Sequence, residues 1–415
     1  MRYPFFFKTV LISSFFLTLS MYGWTQDKPQ AKYGQLHLGD WDFEKQGSIK
    51  LDGTWHFYWN KVLTPTDFVI REPKGRSSFE FPQIWNDYPW DSTRLPAQGY
   101  ATYRLQVIGK VKGYNLAMEI PDMYCSYNLW VNGKLLARNG VVGTTKEETV
   151  PQWIPLTESF TADKDTLDIL LSISNFHHSK GGNKDSIVLG LAAPLLSKRN
   201  SDINANLILV VGLLILSIIC VKLYFKHSDV LFVLFAIISF SWALRGMFTS
   251  MYIMNFWFPE LSWTIGTKIE YIVLYLMMLL GVHIIGKMYS EHANRIARYV
   301  STIINSIYII IALVSPTALF SKMQSTYLVF AVLFMLYIIS IIITAHIHEK
   351  KGADYISLGI LLIILLFFYD LFAYQGIIPY SPYITSFGYL IVYYINAFGL
   401  WHRITHDITE EPRMY

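Results

Sequence analysis

The chain has 415 residues and a formal net charge of +4, and it is 53% hydrophobic but only 15% charged. Soluble domains average about 25% charged residues, so a large part of this chain is expected to lie in lipid. The charge excess is small and scattered, which gives no indication of a nucleic-acid partner. Cys125 lies in a polar region and Cys220 in an apolar run, which excludes a disulfide framework or a cysteine zinc site.

The first 25 residues have the pattern of an export signal. Arg2 and Lys8 supply positive charge, and the apolar run Thr9–Tyr22 follows them. This run is too short for a comfortable membrane span, so a signal peptide cut before Gln26 is predicted, with an uncleaved anchor as the alternative. In both cases the chain from Gln26 onward is exported.

Residues 26–199 are predicted to form an exported β-rich domain with no helix. Polar and apolar residues alternate in several short segments, as expected of half-buried strands. These segments are Tyr103–Ile108, Leu116–Ile120, Tyr127–Val131 and Leu167–Ile173. The Asn-Gly pair at 132–133 predicts a tight hairpin, because such a turn needs positive φ angles. Many short strands joined by turns predict a β-sandwich or jelly roll.

Tryptophans mark two kinds of position in this domain. Trp55, Trp59 and Trp130 fall within strand-like runs and are predicted to be core residues. Trp85 and Trp90 fall in a stretch rich in Pro and Asp, which predicts a loop. Because aromatic rings can stack on sugar faces, these two are the candidate ligand-binding tryptophans.

A second candidate site comprises Asn175, His177 and His178, directly after a predicted strand. Adjacent residues on an extended chain point in opposite directions, so the two histidines are poorly placed to bind one metal ion. No Asp or Cys stands at ligand spacing, and neither a metal nor another cofactor is predicted. We expect these residues to form hydrogen bonds to a ligand or to the membrane domain.

Seven apolar runs between residues 200 and 404 are each long enough to cross about 30 Å of hydrocarbon. Their predicted limits are Ile203–Tyr224, Val230–Thr249, Ser262–Gly286, Tyr299–Ser315, Gln324–Ala345, Tyr355–Phe372 and Thr385–His402. Lys and Arg are concentrated in the loops that are cytoplasmic if the β domain is outside. This predicts a multi-pass protein of the inner membrane, in contact with its lipid, with a periplasmic β domain and a cytoplasmic tail at 405–415.

Four ionisable residues are predicted at similar depth near the outer ends of the spans: Arg245, Lys268, Glu270 and Asp370. Such side chains are costly in lipid and usually face the bundle interior. We expect Arg245 to pair with Glu270 or Asp370. The pair either fixes helix register or forms a polar floor beneath the outer domain that takes part in ligand binding or switching. His283, deeper in the third span, is expected to be a packing or hydrogen-bonding residue.

Several motifs of the outer domain occur in the order found in a known family. They are LDGTWHFYW at 51–59, GYATYRL at 99–105, LWVNG at 129–133, and SNF at 174–176 followed by the glycine pair at 181–182. This order resembles the extracellular jelly-roll module of bacterial seven-transmembrane receptors with diverse intracellular signalling modules. That module is itself similar to the galactose-binding-like sandwich of β-galactosidase-type glycoside hydrolases. The resemblance implies binding of a small molecule, with carbohydrate as one class.

The membrane half extends the resemblance. Leu261-Ser262-Trp263 followed by Lys268–Tyr271 is similar to the third helix of that family, and Tyr369-Asp370 and Gly388 also fit. In the family the seventh helix usually leads into a kinase, cyclase or phosphatase. Here about a dozen residues follow the seventh span. We therefore expect output through a separate cytoplasmic signalling protein, unless an effector was lost or cut away.

The architecture and the resemblance favour a receptor that binds a small ligand outside and relays the event through the bundle. The alternative is an envelope scaffold or assembly subunit that binds protein or glycan. A transporter is disfavoured because the sequence shows no internal repeat and the charged residues lie near the outer side. An enzyme is disfavoured because no carboxylate pair, nucleophile–base set or metal ligands stand at suitable spacing.

Overall fold

The computed structural model describes residues 29–86, 88–90, 93–124, 126–374 and 378–410. The predicted signal peptide, Cys125 and the last residues of the predicted tail lie outside these ranges. The described chain forms a β-sandwich followed by a bundle of long apolar helices. The predicted fold class is therefore confirmed.

The outer domain contains fifteen strands within the described residues. They are β1 Gln35–Gly39, β2 Ile49–Lys50, β3 Gly53–Trp59, β4 Ser77–Phe81, β5 Gln83–Ile84, β6 Pro89–Trp90, β7 Thr93–Arg94, β8 Gly99–Gly109, β9 Asn115–Ile120, β10 Ser126–Val131, β11 Lys134–Asn139, β12 Leu156–Thr161, β13 Thr166–Asn175, β14 Gly182–Asn183 and β15 Val188–Leu191. The larger sheet has the order β11-β10-β13-β8-β3-β4, with β1 also paired to β8. The smaller sheet has the order β12-β9-β15-β2.

The core lies between the two sheets, as the alternating pattern predicts. Trp55 is fully buried there, and the partly exposed Trp59 packs against the core. The core prediction is wrong for Trp130, which is only partly buried. Its neighbours Leu129 and Val131 point into the core, so the period of two residues turns Trp130 to the opposite face of the sheet.

The predicted hairpin and one unpredicted feature both have local causes. Asn132 and Gly133 join β10 to β11 with φ angles of 50° and 81°, which confirms the turn with two positive φ values. Two short helical segments, Phe43–Gln46 and Pro65–Phe68, occur in the domain where no helix was predicted. Each has only four residues, too few to produce a helical period in the sequence.

Seven helices in the described part of the chain are long and apolar enough to cross a membrane. From first to seventh they are Ala192–His227, Val230–Phe248, Trp263–Met288, Arg295–Val314, Thr317–Ile347, Ala353–Tyr374 and Pro382–Glu410. Each overlaps one predicted span. A short helix, Ile253–Trp257, lies between the second and third membrane helices.

The first membrane helix begins within the outer domain. Its 36 residues extend about 54 Å at 1.5 Å per residue, well beyond the thickness of the hydrocarbon layer. Ala192 and Leu195 form one buried cluster with Ala117 of the smaller sheet. Lys198 pairs with Glu119 at 2.6 Å. The helix therefore starts before the predicted boundary at residue 200 and connects the two halves directly.

Candidate functional site at the junction with the membrane helices

Trp85 is a core residue of the outer domain. Its side chain is 0% exposed, and its Nε1 donates to the carbonyl oxygen of Ala97 at 3.0 Å. Its ring meets that of Trp59 edge to face, and a Cβ added to Gly181 would lie 2.3 Å from Nε1. The ligand role predicted for Trp85 is wrong, because a ring with no exposed face cannot stack on a sugar.

Trp90 keeps a partly exposed side chain. It lies in β6 and meets Phe57 edge to face with 5.5 Å between ring centroids. The stretch predicted to be a loop thus contains the short strands β5 and β6. Trp85 lies in the core, and Trp90 packs against the margin of the core. Trp90 is therefore partly accessible from outside the domain.

Asn175 organises the loop that follows β13. It is 0% exposed, and its Nδ2 lies within 3.0 Å of the carbonyl oxygens of Ala97, His178 and Lys180. Its Oδ1 accepts the backbone N–H of His178 at 3.0 Å. These contacts use the amide within the protein, so the ligand-binding role predicted for Asn175 is replaced by a structural one.

His178 lies inside the junction between the outer domain and the helices. It is 3% exposed, stacks on Tyr124 at 4.8 Å, and meets Trp153 edge to face at 5.2 Å. Burial lowers the pKa of this imidazole to about 4, so the ring is neutral at ordinary pH. Its Nε2 is buried without a hydrogen-bond partner. A free ligand cannot reach this ring while the outer domain and the helices remain in contact.

His177 makes its ring hydrogen bonds within the outer domain, and only a ring contact joins it to the membrane helices. Its Nε2 lies 3.2 Å from the carbonyl oxygen of Thr149. Its ring is 6.4 Å from that of Trp263, the first residue of the third membrane helix. The neighbouring Ser179 also reaches the bundle, since Oγ of Ser321 in the fifth helix donates to Oγ of Ser179 at 2.9 Å.

Aromatic side chains dominate the junction. Trp153 of the outer domain meets Trp263 at 5.3 Å and Tyr252 at 6.5 Å, both edge to face. Trp153 is 7% exposed and Trp263 is 8% exposed, and the indole N–H of each is buried without a hydrogen-bond partner. Unpaired polar groups at a buried contact are uncommon and lower its stability.

One polar contact accompanies these rings. The hydroxyl of Tyr252 donates to Oδ2 of Asp122 at 3.4 Å. Burial raises the pKa of Asp122 and raises that of Tyr252 well above its ordinary value. Ser250 and Tyr252 both have left-handed φ angles, 61° and 49°, which is unfavourable for residues other than glycine. The segment that meets Asp122 is therefore held in a strained backbone conformation.

The predicted intramembrane cluster divides into separate contacts. Arg245 pairs with Glu270 at 3.6 Å, which confirms the first of the two expected pairings. Asp370 instead accepts a hydrogen bond from Thr385 at 2.8 Å, and Lys268 donates to the carbonyl oxygen of Leu313 at 2.6 Å. Residues 268 and 270 are two apart on one helix and so point to different sides.

Glu270 links this ion pair to the junction. It lines a small cavity with Trp153, Tyr252 and Trp263, and its Oε2 is buried without a partner. The polar floor expected beneath the outer domain thus consists of Arg245 and Glu270 without the other two residues.

Deeper in the third helix, Nε2 of His283 lies 2.9 Å from Oγ1 of Thr302, which confirms the expected hydrogen bonding.

Sequence reasoning did not single out the aromatic residues that meet at the junction. Tyr124, Trp153 and Tyr252 are far apart in the chain and belong to no motif noted above. Trp263 stood in the third-helix motif, but without an assigned contact. The sequence does place both tryptophans where segments end, which could have indicated a contact between them. Trp153 lies between two prolines, and Trp263 begins an apolar span.

Comparison with known proteins gives one family assignment. Residues 204–402 match the family described as 7TM diverse intracellular signalling. None of the curated proteins compared with the chain matches it.

Solved structures that are similar to part of the chain are glycoside hydrolases. A GH2 β-galacturonidase from Eisenbergiella tayi is 15% identical over 35% of this chain and 24% of that chain, with a TM-score of 0.25. A β-glucuronidase from Faecalibacterium prausnitzii is 13% identical over 34% and 31%, with a TM-score of 0.26. One from Bacteroides uniformis is 14% identical over 34% and 17%, with a TM-score of 0.27.

The match spans less than a third of each of these enzymes, and likeness at this level does not bear on function. The family match covers almost the whole helix bundle and agrees with the resemblance drawn from the motifs. The membrane half of this chain, residues 204–402, is therefore similar to the family described as 7TM diverse intracellular signalling.

Proposed function

We propose that the chain is a membrane receptor in which the outer β domain binds a small ligand and the helix bundle relays the event. The proposed role is binding and transmission rather than catalysis. The observation that carries the proposal is the direct contact of the outer domain with the third and fifth membrane helices. Trp153 meets Trp263 there, and Ser179 meets Ser321.

The chemistry of this contact suits a switch. A ligand shifts an equilibrium only by binding one state more tightly than the other, so the two states must not differ too much in free energy. The buried N–H groups of Trp153 and Trp263 and Oε2 of Glu270 are unpaired, and each such group costs about 1–3 kcal/mol. These costs lower the stability of the contact, so a ligand needs less binding free energy to change it.

We place the β domain, residues 26–199, in the periplasm, after a signal peptide at 1–25. The bundle at 200–404 then lies in the inner membrane, and its end remote from the β domain faces the cytoplasm. Lys287, Arg295 and Lys350 are at that end, as the positive-inside rule requires. A cytoplasmic signalling protein that binds there is the proposed recipient of the signal.

Carbohydrate is the first ligand class to test, because the order of motifs in the outer domain resembles a sugar-binding-like module. Trp90 remains the aromatic candidate for stacking, since its ring is partly exposed.

A thermal-shift screen of the full chain in lipid nanodiscs tests the proposal. Saccharides and other small metabolites are the probes. A ligand at 100 times its dissociation constant adds about 2.7 kcal/mol to the free energy of unfolding, which gives a clear rise in the midpoint. At least one compound is expected to produce it. A folded chain that responds to no compound would contradict the receptor proposal and favour a scaffold that binds protein.

A further inference from the structure

A cavity of about 140 Å³ lies beside the junction, between the outer domain and the start of the first membrane helix. Both halves of the chain line it. Thr157 and Asp185 belong to the outer domain, Arg199 and Asp202 to the first helix, and Met251 to the segment after the second helix. Its volume is close to that of an engineered protein cavity known to hold benzene.

Two of the charged groups in the wall are already paired. Both carboxylate oxygens of Glu119 accept from Nζ of Lys198, at 2.6 and 2.7 Å. Asp185 lies 3.7 Å from Nζ of Lys184. These carboxylates are therefore neutralised by lysines that do not line the cavity.

Arg199 and Asp202 are not engaged in this way. The guanidinium of Arg199 donates to the carbonyl oxygen of Pro155 at 3.2 Å and lies 5.6 Å from the ring centre of Phe256. Oδ1 of Asp202 is buried without a hydrogen-bond partner. The two residues are one turn apart on the same helix, yet no ion pair joins them in the described structure. The wall thus presents one cation and one anion separately.

We propose that this cavity binds a small zwitterion, a molecule with one ammonium and one carboxylate group such as an α-amino acid. The ammonium donates to the carboxylate of Asp202, and the carboxylate accepts from the guanidinium of Arg199. The inference rests on the proposed receptor function and gives it a ligand class other than carbohydrate, at a site that does not include Trp90. A ligand held here contacts both halves of the chain and so acts directly on the junction.

The charged groups of the wall disfavour simpler occupants. Within the described residues, no group of three His, Cys, Asp or Glu side chains is arranged to hold a metal ion. A neutral apolar molecule would bury the Asp202 carboxylate without a partner, which is costly. A zwitterion supplies an oppositely charged partner to Asp202 and to Arg199 at once.

The test uses the full chain in lipid nanodiscs, with a panel of α-amino acids as probes in a thermal-shift screen followed by calorimetric titration. For each amino acid that binds, the N-acetyl derivative and the amine lacking the carboxylate serve as matched ligands. Asp202→Asn and Arg199→Gln are the test variants. Asn200→Ala, at an exposed position on the same turn, is the control.

At least one amino acid is expected to bind, and each test variant is expected to weaken binding by roughly tenfold to a hundredfold, as for loss of a charge-assisted hydrogen bond. The control keeps the wild-type dissociation constant, and both truncated ligands bind weakly. Failure of every amino acid, or equal binding by wild type and both variants, would overturn the assignment. If no amino acid binds but a saccharide stabilises the wild type and all variants equally, this site is overturned while the receptor function is supported.

Discussion

The indole ring of Trp153 meets the indole ring of Trp263 edge to face, with 5.3 Å between centroids and 81° between planes. One ring belongs to the outer domain and the other begins the third membrane helix. Both are more than nine-tenths buried. This pair is therefore a direct packing contact through which the outer domain can act on the bundle.

The contact predicts energetic coupling between the two tryptophans. Trp153→Ala and Trp263→Ala should each reduce the free energy of unfolding by about 3–5 kcal/mol, because each removes a large buried ring. The loss in the free energy of unfolding of the double variant should be about 0.5–1.5 kcal/mol smaller than the sum of the two single losses, which is the interaction expected of an aromatic pair. Unfolding in nanodiscs measures the cycle. Strict additivity would show that the rings do not interact.

Trp85 and Trp90 should differ in their effect on stability. Trp85→Ala is expected to cost about 3–5 kcal/mol, since the ring is fully buried and its N–H is hydrogen-bonded. Trp90→Ala should cost clearly less, because that ring is partly exposed. Thermal unfolding of the two variants gives the comparison. Equal losses would contradict the assignment of Trp85 to the core.

The ion pair between Arg245 and Glu270 should stabilise the outer end of the bundle. Glu270→Gln leaves the guanidinium of Arg245 without its anion, and we expect a loss of about 2 kcal/mol. The charge swap Arg245→Glu with Glu270→Arg should recover part of it. Glu260→Gln is the control, since Glu260 is exposed in the loop before the third helix. Equal midpoints for Glu270→Gln and the control would show that the pair contributes nothing.

Burial of His178 predicts a pH dependence of stability. Its pKa is about 4 in the folded chain against 6.5 ordinarily, so the unfolded chain binds its proton first as the pH falls. The histidine therefore reduces the free energy of unfolding between pH 6.5 and pH 4, by up to about 3 kcal/mol.

The test compares wild type with His178→Phe across that range. Asp122, whose pKa is raised by burial, acts in the opposite sense in both proteins. The difference between the two stability curves therefore isolates His178. Parallel curves would mean that the ring is not buried in its neutral form.

Local patterns in the sequence predicted most of the architecture. The strands β8, β9, β10 and β13 and the seven spans follow from residue periodicity and length, which depend on each residue's near neighbours. The face of Trp130 was assigned wrongly, although the same period places Leu129 inside. The helical start at Ala192 was missed because its polar first turns resemble the soluble domain in composition.

The junction was less predictable because it depends on which distant segments meet. The pairing of Arg245 with Glu270 was one of two expected alternatives, and helix packing decided between them. Trp85 was expected in a loop because Pro and Asp surround it, yet strand pairing between β5 and β14 carries it into the core. Contacts such as that of Tyr252 with Asp122 leave no periodic signal at all.

One measurement tests the central claim most directly. A fluorophore is attached at Ser290→Cys, an exposed site beyond the third membrane helix, at the end remote from the outer domain, in a chain whose two native cysteines are replaced. Any compound that stabilises the chain in the thermal screen is then titrated into the labelled protein in nanodiscs. The receptor account predicts an emission change with a midpoint at the compound's dissociation constant. Saturating binding with no change in emission would contradict it.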